Sequence, residues 1–361
     1  MIPVTRPFSP PIEEYHELLQ GIWQRSWFTN NGPLVNDLEL KLKRYLGIKH
    51  LLYLGNGTIA IQIALKALKI DKEVITTPFS YVATTSSLVW EGCTPVYVDI
   101  HPESLNIDPT KIEVAITKNT QAILATHCFG NPCDVEAIQE IADKYGLKVI
   151  YDAAHCFGTK YKGESIFRWG DISTTSFHAT KLFHTVEGGA VFTKNPELLR
   201  VMAYKRNFGH KGFEDFHGVG INGKNSEFHA AMGLVNLKYI GSILERRKKQ
   251  SLFYDKYLGS QEFQKVQIQH GSEFNYAYYP LRFESEAVTK KVKQSLESAE
   301  IFPRRYFYPS LGTLNYVSPP CTPIADENSA RILCLPLYHD LSEMEQKLIC
   351  RKILRTINYN S

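Results

Sequence analysis

Lys148-Val149-Ile150-Tyr151-Asp152-Ala153-Ala154-His155 is the stretch on which the fold turns. Val149, Ile150 and Tyr151 are β-prone and apolar without alternation, the pattern of a parallel strand covered on both faces by helices. The run ends in an acid followed by two small residues. Ligands of parallel sheets sit beyond the carboxyl ends of the strands, so Asp152 stands where a ligand would be met. An Asp that merely caps the next turn would have the same local sequence.

Working outward, similar short runs occupy residues 51–54, 74–77, 95–98 and 122–125. Between most of them lie segments such as 59–68 and 135–145, with apolar residues at helical spacing. The alternation from about residue 50 to residue 195 predicts βαβ units and a mainly parallel sheet. After a long helical stretch over 227–258 the pattern changes to an aromatic-rich strand over 276–283 and a helix over 287–298. Ser342-x-x-Glu345 reads as a capping box opening the last helix. A boundary near residue 240 is expected, with a large α/β domain over 1–240 that includes an N-terminal active-site segment, and a smaller α+β domain over 241–361. A chain of 361 residues exceeds the size at which one core stops growing, which agrees with two domains.

Two further stretches carry chemistry. Gly55-Asn56-Gly57-Thr58 closes the first strand and leads straight into an apolar helix. Small residues let a ligand approach the backbone, and the free N–H groups and dipole of a helix start favour a phosphate. A plain strand-to-helix turn with Thr58 near its N-cap is the simpler alternative. Ser173 to Lys181 is a β-rich run ending in small and polar residues before a lysine. Lys181 follows Asp152 by 29 positions, enough for a hairpin or crossover to bring both to one ligand.

Composition narrows the class. With 43% hydrophobic and 22% charged residues the chain has the make-up of a soluble globular protein. A net charge of +4 is too small and too dispersed for a nucleic-acid footprint, though it suits an anionic small substrate. The densest run, Arg246-Arg247-Lys248-Lys249, reads as a solvated helix face. Seven cysteines, an odd number without paired spacing, build neither a disulfide framework nor a zinc site, and reduced thiols in a cytoplasmic protein are expected. No apolar signal core or stretch of about 18 apolar residues occurs, so no membrane contact is expected.

Taken in order, Trp27 to Pro33, Asn56-Gly57-Thr58, Thr77 to Thr84, Asp152 to His155, Ser176 to Lys181 with Glu187-Gly188-Gly189, and Gly220 to Lys224 resemble the DegT/StrS-type sugar aminotransferases. The likeness covers nearly the whole chain. It implies the aspartate aminotransferase-like fold (pyridoxal-phosphate fold type I) and pyridoxal 5′-phosphate as cofactor, with no metal. By position, the resemblance makes Lys181 the lysine bonded to the cofactor and Asp152 the partner of its ring nitrogen. Tyr81 would stack on the ring, His155 would lie near its phenolic oxygen, and Gly57, Thr58 and Ser176 would bind its phosphate. Asn222 would reach the same phosphate from the other subunit of a homodimer. Thr29, Asn30, His210, Arg304, Arg305 and Tyr308 would line the substrate channel, where the planar donors of Arg suit a diphosphate.

The segment from Gly220 to Gly233 is similar to family members that make 4-amino-4,6-dideoxyglucose on dTDP, of the viosamine type. It departs from most relatives at Lys224 and Asn225, which bears on substrate contacts there. The resemblance therefore implies a cytoplasmic transferase moving an amino group from L-glutamate to dTDP-4-keto-6-deoxy-D-glucose, for deoxyaminosugar and surface-polysaccharide biosynthesis. Amination at C3 rather than C4, UDP or GDP in place of dTDP, a sugar dehydratase and a non-catalytic regulator stand beside it as alternatives. A dehydrogenase reading of Gly218-x-Gly220-x-x-Gly223 lacks the apolar strand such a motif needs.

Overall fold

The computed structural model describes residues 1–259 and 263–358; residues 260–262 and 359–361 of the expected C-terminal domain lie outside the described residues. A short strand β1 (Ile2–Pro3) and helices α1 (Ile12–Arg25) and α2 (Pro33–Leu46) lead into the alternating region. There β2 (His50–Leu54), α3 (Gly57–Ala67), β3 (Glu73–Thr76), α4 (Val82–Trp90), β4 (Thr94–Tyr97), β5 (Thr120–Thr126), α5 (Val135–Tyr145) and β6 (Lys148–Asp152) follow in turn. Short β7 (Lys160–Tyr161) and β8 (Glu164–Ser165) precede the hairpin of β9 (Ile172–Ser176) and β10 (Gly189–Thr193), then α6 (Pro196–Arg206) and α7 (Glu227–Leu258). The last part comprises β11 (Ser272–Glu273), β12 (Tyr279–Arg282), α8 (Glu286–Glu297), β13 (Ile301–Phe302), α9 (Pro323–Arg331), β14 (Ile332–Leu335) and α10 (Glu343–Asn358).

The expected mainly parallel sheet is present, in the order β2-β10-β9-β6-β5-β3-β4. Only β10 runs against its neighbours, as a hairpin partner of β9. The apolar character of β6 has the anticipated cause, since Val149, Ile150 and Tyr151 are all fully buried. On one face α3 buries Ala60, Ile61, Ile63, Ala64 and Leu65 together with Val74, Leu124 and Ile150 of the strands. The other face packs α2, α5 and the first half of α7. Each of these valine, leucine and isoleucine side chains contributes about 1.5–3 kcal/mol by leaving water.

A second apolar cluster gathers Tyr254 and Leu258 of α7, β12 and β14, and residues of α8 and α10. The boundary anticipated near residue 240 thus falls inside α7, whose first half serves the main core and whose last turns serve the second. We propose that α7 is the shared wall of two domains. β1 pairs with β13, so the first residues join the C-terminal layer although they precede the large one.

Three local expectations meet different outcomes. Ser342 and Glu345 do form a reciprocal capping box, Ser342 N donating to Glu345 Oε2 at 2.8 Å and Glu345 N to Ser342 Oγ at 3.2 Å. The strand expected over 276–283 shrinks to Tyr279–Arg282 because Asn275, donating to the carbonyls of His155 and Phe157, ties the preceding residues to the segment that follows β6. The basic run is not wholly solvated. Arg247 is buried and donates to the Ala277 carbonyl, while Arg246 reaches those of His339 and Leu341, so both guanidinium groups join the two layers.

Among the described residues no helix is long and apolar enough to cross a membrane, and no cluster of three or more His, Cys, Asp or Glu is arranged for a metal. All seven cysteines are free.

Candidate active site

Sheet register assembles the site. Thr126, Asp152 and Thr174 stand side by side at the carboxyl edge of β5, β6 and β9. Gly189 at the start of β10 lies between Leu54 and Ser176. A Cβ on Gly189 would come within 2.5 Å of the Asn56 carbonyl, so only glycine lets the β2–α3 turn lie against the end of β9. The turn then brings Gly57 so near Ser176 that an added Cβ would sit 3.0 Å from the serine's Cβ. Asn56 caps α3 by accepting from Ile59 N at 2.8 Å. The amides of Gly57 and Thr58 belong to the first turn, where a helix provides no internal acceptor. Ser176 Oγ accepts from His178 N, which leaves its own proton to donate. Amides, hydroxyl and helix dipole together make a cradle for a phosphate.

Asp152 is buried at the floor of the cavity. Its Oδ1 accepts from Ala154 N at 3.1 Å and its Oδ2 from Thr84 Oγ1 at 2.7 Å. Thr84 has one proton and gives it to Asp152, so Ser80, 2.5 Å away, must donate to Thr84, and Thr126, 3.1 Å from Ser80, donates to Ser80. Burial raises the Asp152 pKa against the lowering by these hydrogen bonds and by Lys181. A cation arriving beside the carboxylate would favour its ionised form.

Lys181 lies on the loop between β9 and β10, pinned by buried Phe177 before it and buried Leu182 and Phe183 after it. Phe183 stacks on Phe157 at 4.2 Å, and Thr5 Oγ1 donates to the Thr180 carbonyl. Burial lowers the Lys181 pKa to about 8; Asp152 and Tyr81 oppose the shift and Arg304 adds to it. Against a solvated lysine this leaves on the order of a hundred times more free amine at neutral pH.

His155 lies parallel to Phe307, ring centroids 5.9 Å apart, and close to Tyr278. Burial pushes its pKa down, and its Nδ1 is buried without a partner. Tyr81 opens α4 with its ring half exposed. A cavity of about 240 Å³ is lined by Gly57, Thr58, Tyr81, Asp152, His155, Ser176, Lys181 and Arg304, so the fold gathers the residues singled out from five separate stretches.

The others lie elsewhere. Asn222 is exposed outside its own chain's cavity, bridged to Asn207. Thr29 and Asn30 are exposed between α1 and α2. His210 packs against Phe208 and Phe216 in the loop that follows α6. These three substrate candidates do not line the cavity of their own chain. Arg305 and Tyr308 stack on each other at an adjoining opening, where Arg305 also bonds Glu286. Asn225 is a buried clamp, donating to Tyr53 Oη and to the Leu54 and Glu187 carbonyls, and Lys224 bonds Asn207. Thr84, Ser80, Thr126, Tyr306 and Phe307 were missed. The run Ser80-Tyr81-Val82-Ala83-Thr84-Thr85 carried a weak signal, polar residues on a helix face that must be buried; Phe307 carried none.

The DegT/DnrJ/EryC1/StrS aminotransferase family matches residues 11–354. A dTDP-4-amino-4,6-dideoxy-D-glucose transaminase of Shigella dysenteriae is 44% identical over 94% of both chains. An enzyme of the same name from Escherichia coli is 41% identical over 95% of both. Among solved structures, DesI in the presence of its TDP-sugar product superposes with a TM-score of 0.93 at 29% identity, over 98% of this chain and 93% of that one.

Proposed function

The chain belongs to the DegT/DnrJ/EryC1/StrS aminotransferase family, and from that membership we propose a pyridoxal 5′-phosphate enzyme that moves an amino group from L-glutamate to C4 of dTDP-4-keto-6-deoxy-D-glucose, giving dTDP-4-amino-4,6-dideoxy-D-glucose. Two relatives at 44% and 41% identity carry that product in their names. The observation that carries the chemistry is a lysine of lowered pKa sharing one cavity with a buried carboxylate and a phosphate cradle.

The residues present fit the cofactor. Gly57, Thr58 and Ser176 would hold its phosphate in a space that a Cβ on Gly57 would crowd. Asp152 would meet the ring nitrogen as the cation its buried carboxylate calls for, and the unpartnered His155 Nδ1, with Tyr81, would contact the ring and its phenolic oxygen. When bound, the cofactor supplies a conjugated electron sink for the charge left as a proton departs from the carbon bearing the amine.

The chain's own residues do the rest. Thr84 Oγ1 and Ala154 N hold the Asp152 carboxylate in one orientation, so its charge stays aimed into the cavity. Lys181 Nζ, whose lowered pKa leaves a large share of it unprotonated near pH 8, takes the proton from the donor's α-carbon as general base and later returns one as general acid. The same groups work in reverse order when the keto carbon of the sugar receives the amine.

We place the site in a cytoplasmic homodimer in which Asn222 of the partner subunit completes the phosphate cradle. Exposed Phe208, Phe213, Phe216, Val219 and Ile221 around Asn222 support an interface there. Incubation with glutamate and dTDP-4-keto-6-deoxy-D-glucose, followed by NMR of the product, tests the reading. A 4-amino sugar is expected; a 3-amino sugar or unchanged ketone would overturn it.

A further inference from the structure

We propose that His184 is a positioning residue for Lys181, fastening the loop that carries the lysine to the N-terminal segment 2–8, which the C-terminal layer in turn holds in place. The inference rests on the transaminase reading above only in taking Lys181 as the reacting amine. His184 is buried and lies outside the residues that line the cavity. It acts through where it puts its neighbour.

The loop 177–188 between β9 and β10 is long for a hairpin connection, so it needs support beyond the sheet. At its root Phe177 N donates to the Gly188 carbonyl at 2.7 Å and Thr185 N to the Phe177 carbonyl at 2.9 Å. Further out, His184 is held from three directions. Its Nε2 lies 2.8 Å from the Phe8 carbonyl, its own carbonyl accepts from Asn236 Nδ2 of α7 at 2.9 Å, and its Nδ1 accepts from Val186 N at 3.3 Å. A carbonyl only accepts and a backbone N–H only donates, so the ring is the neutral tautomer with its proton on Nε2. Burial, which lowers the His184 pKa, agrees with that single proton. Val186 stands at φ +66°, a left-handed backbone that a β-branched residue rarely adopts, and the bond to Nδ1 holds it there.

The anchor is tied down on its far side. Ile2 N donates to the Glu300 carbonyl at 2.8 Å as β1 pairs with β13, and Leu337 N donates to the Val4 carbonyl at 3.0 Å. Arg6 lies over the Tyr338 ring, 5.1 Å from its centroid, and the Phe8 ring meets those of Tyr239 and His339 at 5.4 and 5.0 Å. Between these contacts Thr5 Oγ1 donates at 3.4 Å to the carbonyl of Thr180, the residue before the lysine. The same short segment therefore grips the loop on both sides of Lys181, at Thr180 and at His184. Arg304, whose side chain faces the lysine across the cavity, exchanges backbone hydrogen bonds in both directions with Cys334 of β14, and the chain beyond β14 reaches Leu337. The wall opposite Lys181 and the anchor behind its loop thus share one support.

A loosened loop would let water reach the amine, and burial is the main cause of its lowered pKa, so the pKa should rise toward that of an ordinary lysine. The readout is the pH dependence of pyridoxal phosphate capture by the apoprotein, compared in wild type, His184→Phe, His184→Gln and Thr5→Val. His184→Phe keeps a ring and removes both nitrogens. Its break should move up by about one pH unit, and kcat with glutamate should fall roughly tenfold while KM changes less than about threefold. His184→Gln, whose amide can donate to the Phe8 carbonyl, should recover most of both, and Thr5→Val should move the break upward by a smaller amount. Asp152, His155, Tyr81 and Arg304, the charged and titratable groups that face Lys181, stay in place in all three variants, so a moved break reports the loop. A merely structural histidine would lower the melting temperature and leave the break where it is. An unmoved or lowered break in His184→Phe, or a His184→Gln no better than His184→Phe, would overturn the proposal. Should His184→Phe not fold, an unmoved break in Thr5→Val overturns it. A wild type that captures no pyridoxal phosphate through Lys181 would overturn the transaminase reading instead.

Discussion

Thr84 Oγ1 donates a 2.7 Å hydrogen bond to Asp152 Oδ2, so the acid at the end of β6 is oriented by α4, a helix 68 residues earlier in the chain. The threonine has only one proton and spends it there, while the serine and threonine behind it donate in series. Thr84→Val keeps the shape and removes the donor. A hydrogen bond to a charged group is worth about 1.5–3 kcal/mol, which corresponds to a loss of roughly 10- to 100-fold in kcat/KM. Steady-state kinetics on a variant of native circular dichroism measures it, and a change below twofold would show that Asp152 needs no such support.

Lys181 predicts a pH profile. An amine attacks an aldehyde only when neutral, so covalent capture of pyridoxal phosphate by the apoprotein should quicken about tenfold per pH unit below 8 and level off above it. An ordinary lysine would keep accelerating to about pH 10.4. The sign of each neighbour is also testable. Arg304 lowers the pKa, so Arg304→Gln should move the break upward; Asp152 raises it, so Asp152→Asn should move it downward. Rapid-mixing absorbance over pH 6–10 checks all three.

Gly57→Ala separates binding from folding. Its Cβ would stand 3.0 Å from Ser176 Cβ and 3.5 Å from Ser176 Oγ, inside the proposed phosphate cradle. Cofactor affinity should fall by roughly tenfold, or ~1.4 kcal/mol. The apoprotein should lose less stability than that, because the restriction alanine places on the unfolded chain offsets part of the tightened contact with Ser176. Fluorescence titration and thermal melts of the apoprotein make the comparison.

Asn225 should behave as a clamp rather than a substrate contact. Leucine there would remove both amide protons, which are shared among the Tyr53 hydroxyl and the Leu54 and Glu187 carbonyls, and leave these acceptors short of a donor in a buried site. Asn225→Leu should cost about 2–4 kcal/mol in denaturant unfolding. KM for glutamate and for the sugar nucleotide should stay within threefold; a selective rise for the sugar would return Asn225 to the substrate side.

Much of this site is legible before the fold is known. Asp152 announces itself as a polar end to an apolar strand, Gly57 as a small residue at a helix start, and Lys181 through its order behind Ser176. Asn225 looks like a substrate contact from its neighbours in sequence, yet it fastens β2 to the loop that carries Glu187. Arg304 and Arg305 are adjacent and chemically identical, but only the fold pairs one with Glu286 and leaves the other open.

What the sequence by itself determined is local: the unbroken apolar β-prone runs and helical patterns that make βαβ units, the glycines that admit close backbone approach, and the residue types that chemistry at an amine requires. Tertiary structure decided everything that depends on which side chains meet across long separations. Hydrogen bonds such as Thr84 to Asp152, the burial that lowers Lys181, and the ion pair that engages Arg305 arise from distances and desolvation. These exist only once the strands have aligned and the helices have covered them.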